Sequence, residues 1–108
     1  MIPLAEPILD DGEQAAIREV VEGGQLAAGA EVDAFEREFA SFCGADHGVA
    51  TSNGTTALHA ALHALGVGEG DRVVTTPFSF AATANAIRLV GAEPVFADID
   101  PETYVIDP

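Results

Sequence analysis

Apolar residues follow two rhythms along this chain, and the change of rhythm near His47 predicts its architecture. Before that point the spacing is helical. Asp10-Asp11-Gly12-Glu13 has the form of a capping box, in which an acidic cap and a Glu three residues on satisfy each other's backbone amides. Ile17, Val20 and Val21 then recur at one-turn spacing until Gly23-Gly24 stops the run, which predicts a helix over about 12–23. Val32, Phe35, Phe39 and Phe42 lie at i, i+3, i+7 and i+10, with Asp33, Glu36, Arg37 and Glu38 on other faces and Gly44 just past the end. This is the clearest amphipathic helix in the chain, and the helical part spans 12–43. Between the two helices, Gly23-Gly24-Gln25-Leu26-Ala27-Ala28-Gly29 has no usable period and reads as a loop.

From His47 onward, short apolar runs alternate with helical stretches, joined by Gly, Asp or Pro. Strands are expected at Val49, Val73-Val74 and Val95-Phe96, with helices over about 55–65, closed by Gly66, and about 80–90, closed by Gly91. Each interval has room for one helix and two turns, so a β-α-β-α-β run from about 47 to 99 with right-handed crossovers is predicted. The class is α/β, a parallel sheet layered with helices, and Leu58, Leu62 and Leu65 form the expected core stripe of the first crossover helix. The segment 98–108 leaves the third strand and begins an apolar element that it does not complete. We therefore expect residues 1–108 to be a single partial domain, truncated, with an open sheet edge normally covered by later strands.

A chain of 108 residues can build one modest core, and 48% hydrophobic residues suit that. Charge changes the picture more. There are 18 Asp plus Glu against four Arg and no Lys, a net charge of -14. Repulsion of that size argues against nucleic acid and anionic membranes as partners, since both present phosphates. Eleven of the acids fall between Glu6 and Asp46, as expected of a solvated acidic face, and a halophilic, high-salt setting would screen them. Cys43 stands alone, which excludes an internal disulfide, and is expected to be a small core residue. With no basic-flanked apolar leader and no run of membrane length, a cytoplasmic location is the default expectation.

Two segments have the form of ligand loops. Val49-Ala50-Thr51-Ser52-Asn53-Gly54-Thr55-Thr56-Ala57-Leu58 passes from an expected strand through a small polar turn into a helix. Such a turn aims backbone N–H groups and a helix dipole at one point and offers Thr hydroxyls beside them, which is the chemistry of a phosphate cradle. The plainer alternative is an ordinary capped helix start. It is neither a Walker loop nor a dinucleotide fingerprint. The second segment, Thr75-Thr76-Pro77-Phe78-Ser79-Phe80-Ala81-Ala82-Thr83-Ala84-Asn85, also begins at a strand's carboxyl end, where ligands of open parallel sheets collect. Phe80 there either stacks on a flat ring or packs against the sheet. His59 and His63 share a helix face but lack a third ligand at a recognisable spacing, so no metal site is assigned.

In order and spacing these blocks resemble the DegT/DnrJ/StrS group of sugar aminotransferases. The resemblance rests on Ile2-Pro3-Leu4-Ala5-Glu6-Pro7, Gln25-Leu26-Ala27-Ala28-Gly29, the block from Ser52 to Leu58, Gly68-Glu69-Gly70-Asp71-Arg72-Val73, Phe78 to Asn85, and Pro94-Val95-Phe96-Ala97-Asp98-Ile99-Asp100. It covers essentially the whole chain, and no block is specific alone. It implies the amino-terminal part of the large domain of the type I pyridoxal-phosphate transferase fold, a three-layer αβα arrangement, working as a homodimer. Gly54, Thr55 and Thr56 would then hold the phosphate of pyridoxal 5'-phosphate and Phe80 would stack on its pyridine ring, while the loop around Leu26 to Gly29 would lie near substrate. The implied reaction moves an amino group, usually from glutamate, to a keto group of a nucleotide-linked sugar. The family's Schiff-base lysine and its acidic partner for the pyridine nitrogen have no counterpart here, so no catalytic residue is assigned and the fragment is expected to be inactive alone. Two other readings remain: a regulatory fragment that binds a phosphorylated ligand without reacting, and an excised reading frame with no independent role.

Overall fold

The computed structural model describes residues 2, 3 and 5–107. The chain divides into two compact units, Met1–Val49 and Ala50–Pro108.

The first unit holds α1 (Asp11–Gly23) and α2 (Ala30–Cys43). The capping box forms as its residues predict: Oδ1 of Asp10 accepts the Gly12 amide at 2.7 Å, and Oε2 of Glu13 accepts the Asp10 amide at 2.8 Å. Gly24, at φ 73°, closes α1 in the left-handed conformation that a residue without Cβ adopts freely. The apolar stripe of α2 is present, and Phe35 and Phe39 stack with ring centroids 5.6 Å apart. It is not covered, however. Among the described residues of this unit only Ala40 is buried, and Phe42 is 87% exposed. Cys43, expected in the core, is exposed, because it ends a helix whose apolar face meets no neighbour there. After α2 the backbone returns past it. A Cβ built on Gly48 would stand 2.6 Å from the carbonyl oxygen of Glu36, so only glycine fits this approach.

The second unit runs α3 (Gly54–Ala64), β1 (Arg72–Thr75), α4 (Ala82–Leu89) and β2 (Glu93–Phe96). β1 and β2 pair in parallel, Arg72 opposite Glu93 through Thr75 opposite Phe96, and α4 is the crossover between them. The Glu93 amide donates to Asp71 O at 2.9 Å and the Ala97 amide to Thr75 O at 2.8 Å, so alternate residues of β2 turn their amides toward β1. Pro94, between them, has no amide to give. α4 packs on both strands and on α3, and this contact contains the buried residues Ala86 and Ile87, with Thr75 and Ala92 buried nearby in the chain. Arg72 and Glu93 face each other at 3.7 Å as an exposed ion pair.

Three further expectations need correction. The strand at Val49 does not form: residues 47–51 carry no ladder, since among the described residues no strand pairs with them. Extended backbone outside a ladder does not make the repeated inter-strand hydrogen bonds that define a strand. The stripe of α3 is only partly covered, with Leu62 half-buried, Leu58 exposed and Leu65 79% exposed. Helix α4 also begins two residues later than periodicity suggests, because Phe80 and Ala81 belong to a turn in which the Thr83 amide donates to Phe80 O at 3.0 Å. No helix among the described residues is long and apolar enough to cross a membrane.

Candidate functional site

The start of α3 is built by one amide side chain. Asn53 is extended, at φ -169°, and its Oδ1 accepts both the Thr56 amide at 2.9 Å and the Thr56 hydroxyl at 3.2 Å. Its Nδ2 donates to Ser52 Oγ at 3.2 Å, while the Thr51 hydroxyl donates to Asn53 O at 3.0 Å. The cap thus satisfies Thr56, and the Ala57 amide reaches Asn53 O. The amides of Gly54 and Thr55 precede the first intrahelical acceptors and keep no partner among the described residues. A Cβ on Gly54 would meet nothing within 4 Å, so there is open space before these donors.

Charge distinguishes this helix start from the two before it. The first turn of α1 carries Asp11 and Glu13, and that of α2 carries Glu31 and Asp33, whereas α3 has no acid in its first turn and neither does α4. No Asp or Glu occurs from 47 to 68 or from 72 to 92. In a chain of net charge -14, these are the stretches where a helix dipole is left uncompensated. That gap is the signal that could have singled out Asn53 from sequence, a residue not assigned there to the site.

The second loop shapes a pocket of about 280 Å³, lined chiefly by Thr76, Ser79, Phe80, Thr83, Asn85 and Phe96. Thr76 Oγ1 accepts the Phe78 amide at 3.0 Å, and the hydroxyls of Ser79 and Thr83 lie 2.8 Å apart. Phe80 is 82% exposed, so its ring is not packed against the sheet, contrary to the plainer reading of a Phe at this position. Gly54, Thr55 and Thr56 do not line this pocket; they stand together at the start of α3, with Thr55 half-buried. Ser79, Thr83 and Asn85 join Phe80 in the pocket without having been assigned from sequence as site residues. His59 is half-buried and His63 exposed, both on α3.

Free amides at a dipole's positive end, the Thr55 hydroxyl and a first turn without acids have the chemistry to hold a phosphate, and, separately, an unpacked Phe beside a small pocket has the chemistry to take a flat heterocycle. The fold is that of the amino-terminal part of the large domain of type I pyridoxal-phosphate enzymes: DesV of S. venezuelae aligns with a TM-score of 0.83 and 36% identity over 90% of this chain and 26% of its own. The chain belongs to the DegT/DnrJ/EryC1/StrS aminotransferase family, whose model matches residues 7–108. It is 48% identical over 107 residues to the spore coat polysaccharide biosynthesis protein SpsC of Bacillus subtilis, covering 99% of this chain and 28% of that protein. It is 45% identical over 100 residues to the UDP-2-acetamido-2-deoxy-3-oxo-D-glucuronate aminotransferase of Pseudomonas aeruginosa, covering 93% of this chain and 28% of that protein. The chain therefore spans little more than a quarter of the relatives it matches. Pyridoxal phosphate is the cofactor of full-length members: the sugar aminotransferase Spr1654 of Streptococcus pneumoniae, which aligns with a TM-score of 0.90 and 28% identity over 98% of this chain and 27% of its own, is known in a PLP form.

Proposed function

We propose that this chain is the cofactor-holding, amino-terminal part of an enzyme that transfers an amino group, with glutamate as donor, to a keto group of a nucleotide-linked sugar. One observation carries the reading: in a strongly acidic chain, the start of α3 is free of acids and keeps the Gly54 and Thr55 amides available. These amides and the Thr55 hydroxyl would bind the cofactor phosphate beside Thr56, whose own amide and hydroxyl the Asn53 cap holds, and Phe80 would stack on the ring. When bound, the cofactor supplies the electron sink that such chemistry needs. The chain's own residues bind and orient; they move no proton, for there is no lysine among the 108 residues and no catalytic residue is assigned. The loop around Leu26 to Gly29 would lie near substrate in a homodimer, in the cytoplasm.

The test uses the purified chain. Calorimetric titration with pyridoxamine 5'-phosphate should show binding that pyridoxamine, lacking the phosphate, does not. Incubation with pyridoxal phosphate, glutamate and a UDP-linked keto sugar should give neither turnover nor borohydride-trappable capture at a lysine. Turnover would show the chain to be catalytic by itself. Binding of nucleotide sugar but of neither cofactor form would favour a regulatory fragment instead.

A further inference from the structure

One aromatic pair joins the loop beside the pocket to a turn far along the chain. Phe78 stacks on Tyr104, with ring centroids 5.5 Å apart and planes inclined by 27°. The residues on either side of Phe78, Pro77 and Ser79, line the pocket and so does Phe80, but Phe78 does not. Its ring lies outside the pocket, in a surface stack with Tyr104.

Tyr104 is held for this contact at some expense. Its φ is 59°, and among the described residues no other side-chain-bearing residue has a positive φ. A bulky residue in that region persists only where its surroundings over-determine it. Here they do. One Asp100 carboxylate oxygen accepts the Glu102 amide at 2.9 Å, the Thr103 amide at 2.7 Å and the Thr103 hydroxyl at 3.0 Å. The Tyr104 amide donates to Asp100 O at 2.8 Å, the Asp100 amide to Val105 O at 2.9 Å and the Asp107 amide to Asp98 O at 2.9 Å, around an antiparallel bridge of Ile99 with Ile106. Glycine would satisfy this backbone without strain. What tyrosine adds is its ring on Phe78.

We infer that Tyr104 is a positioning residue: through Phe78 it fixes the loop 76–81, so that Phe80 and the Ser79–Thr83 hydroxyl pair present one preset face to a flat ring in the pocket. The identity of that ring rests on the cofactor reading proposed above; the coupling from Tyr104 to Phe80 does not. A preset loop spares the ligand the cost of ordering it, which is how a residue outside the pocket raises affinity.

Three variants of the whole chain test this. Tyr104→Phe keeps the stack, Tyr104→Leu removes the aromatic ring, and Tyr104→Gly removes it while relieving the backbone, so that the turn survives. Phenylalanine ring resonances, measured by NMR with labelled Phe, should be native-like in Tyr104→Phe. In Tyr104→Gly both Phe78 and Phe80 should shift while the β1 and β2 amides stay in place. Affinity for pyridoxamine 5'-phosphate should fall about tenfold in Tyr104→Gly and Tyr104→Leu and hold in Tyr104→Phe. Unshifted Phe80 resonances in Tyr104→Gly overturn the inference whatever the ligand does. If the native chain takes up no pyridoxamine 5'-phosphate, the cofactor reading fails and the resonances alone decide the coupling.

Discussion

At the start of α1 the cap is a carboxylate, and at the start of α3 it is an amide. Both place an oxygen on the backbone of the first turn, at 2.7 Å in Asp10 and 2.9 Å in Asn53. The electrostatic results are opposite. Asp10, Asp11 and Glu13 bring the helix its own negative charge, and the Gly12 amide followed by the Glu13 side chain holds the Asp10 carboxyl below its ordinary value. Asn53 satisfies one amide and adds no charge, so the dipole of α3 remains open to an external anion. The two caps differ by one ionisable group, and only the uncharged one leaves its helix start without a carboxylate.

The contrast is broken most directly by Asn53→Asp. Aspartate caps helices as well as asparagine does, so α3 should persist, yet a carboxylate beside a bound phosphate should cost about 2 kcal/mol. Affinity for pyridoxamine 5'-phosphate is expected to drop about thirtyfold by calorimetry, with helicity by circular dichroism unchanged; unchanged affinity would place the phosphate elsewhere.

Loosening the first unit alone sharpens the comparison next. Gly48→Ala forces a methyl against the Glu36 carbonyl, 2.6 Å away. Overpacking of about 1–3 kcal/mol outweighs the 0.4–1 kcal/mol or so that alanine gains through the unfolded chain. A net loss of roughly 1 kcal/mol should appear as faster hydrogen exchange in α2, with α3 and α4 unaffected.

Acid should produce the smallest effect. Because the Asp10 carboxyl titrates lower folded than unfolded, its capping contributes stability above the unfolded value and loses it as pH falls through the folded one. The window therefore lies below the ordinary carboxylate range. Asp100 behaves in the same sense, held down first by the Thr103 amide, then by the Thr103 hydroxyl. On acidification the Gly12 and Thr103 amide resonances should move, whereas that of Thr56, held by the uncharged Asn53, should stay. A Thr56 shift of equal size would remove the distinction between the caps.

What was legible in the sequence was local. The capping box at Asp10, the stripe through Phe35 and Phe39, and the glycine stops at Gly24, Gly44, Gly66 and Gly91 depend on neighbours within a turn or two, and each appears where expected. The strands at Val73-Val74 and Val95-Phe96 were legible because their partners lie one crossover apart. Val49 failed as a strand since a ladder needs a second strand, which apolar spacing at Val49 cannot supply. Burial failed similarly at Cys43 and Leu65, where a stripe foretells an apolar face but not its cover. In the candidate site, Gly54, Thr55, Thr56 and Phe80 were singled out through family likeness to ordered blocks; the amides of Gly54 and Thr55 are unspent and the ring of Phe80 is unpacked, whereas the amide and hydroxyl of Thr56 are taken up by Asn53. The contact of Phe78 with Tyr104 was out of reach, as no local pattern joins residues so far apart in sequence.

Pro94 decides which way the sheet can grow. Amides of β2 on either side of it turn toward β1, so its own position belongs to the outer margin, where a further strand would look for a donor and find a ring nitrogen without hydrogen. That margin is a poor template for another strand, and the far side of β1 keeps its full set of groups. The pair has a blunt rim and a receptive one, and recruitment of additional β-structure falls to the receptive side.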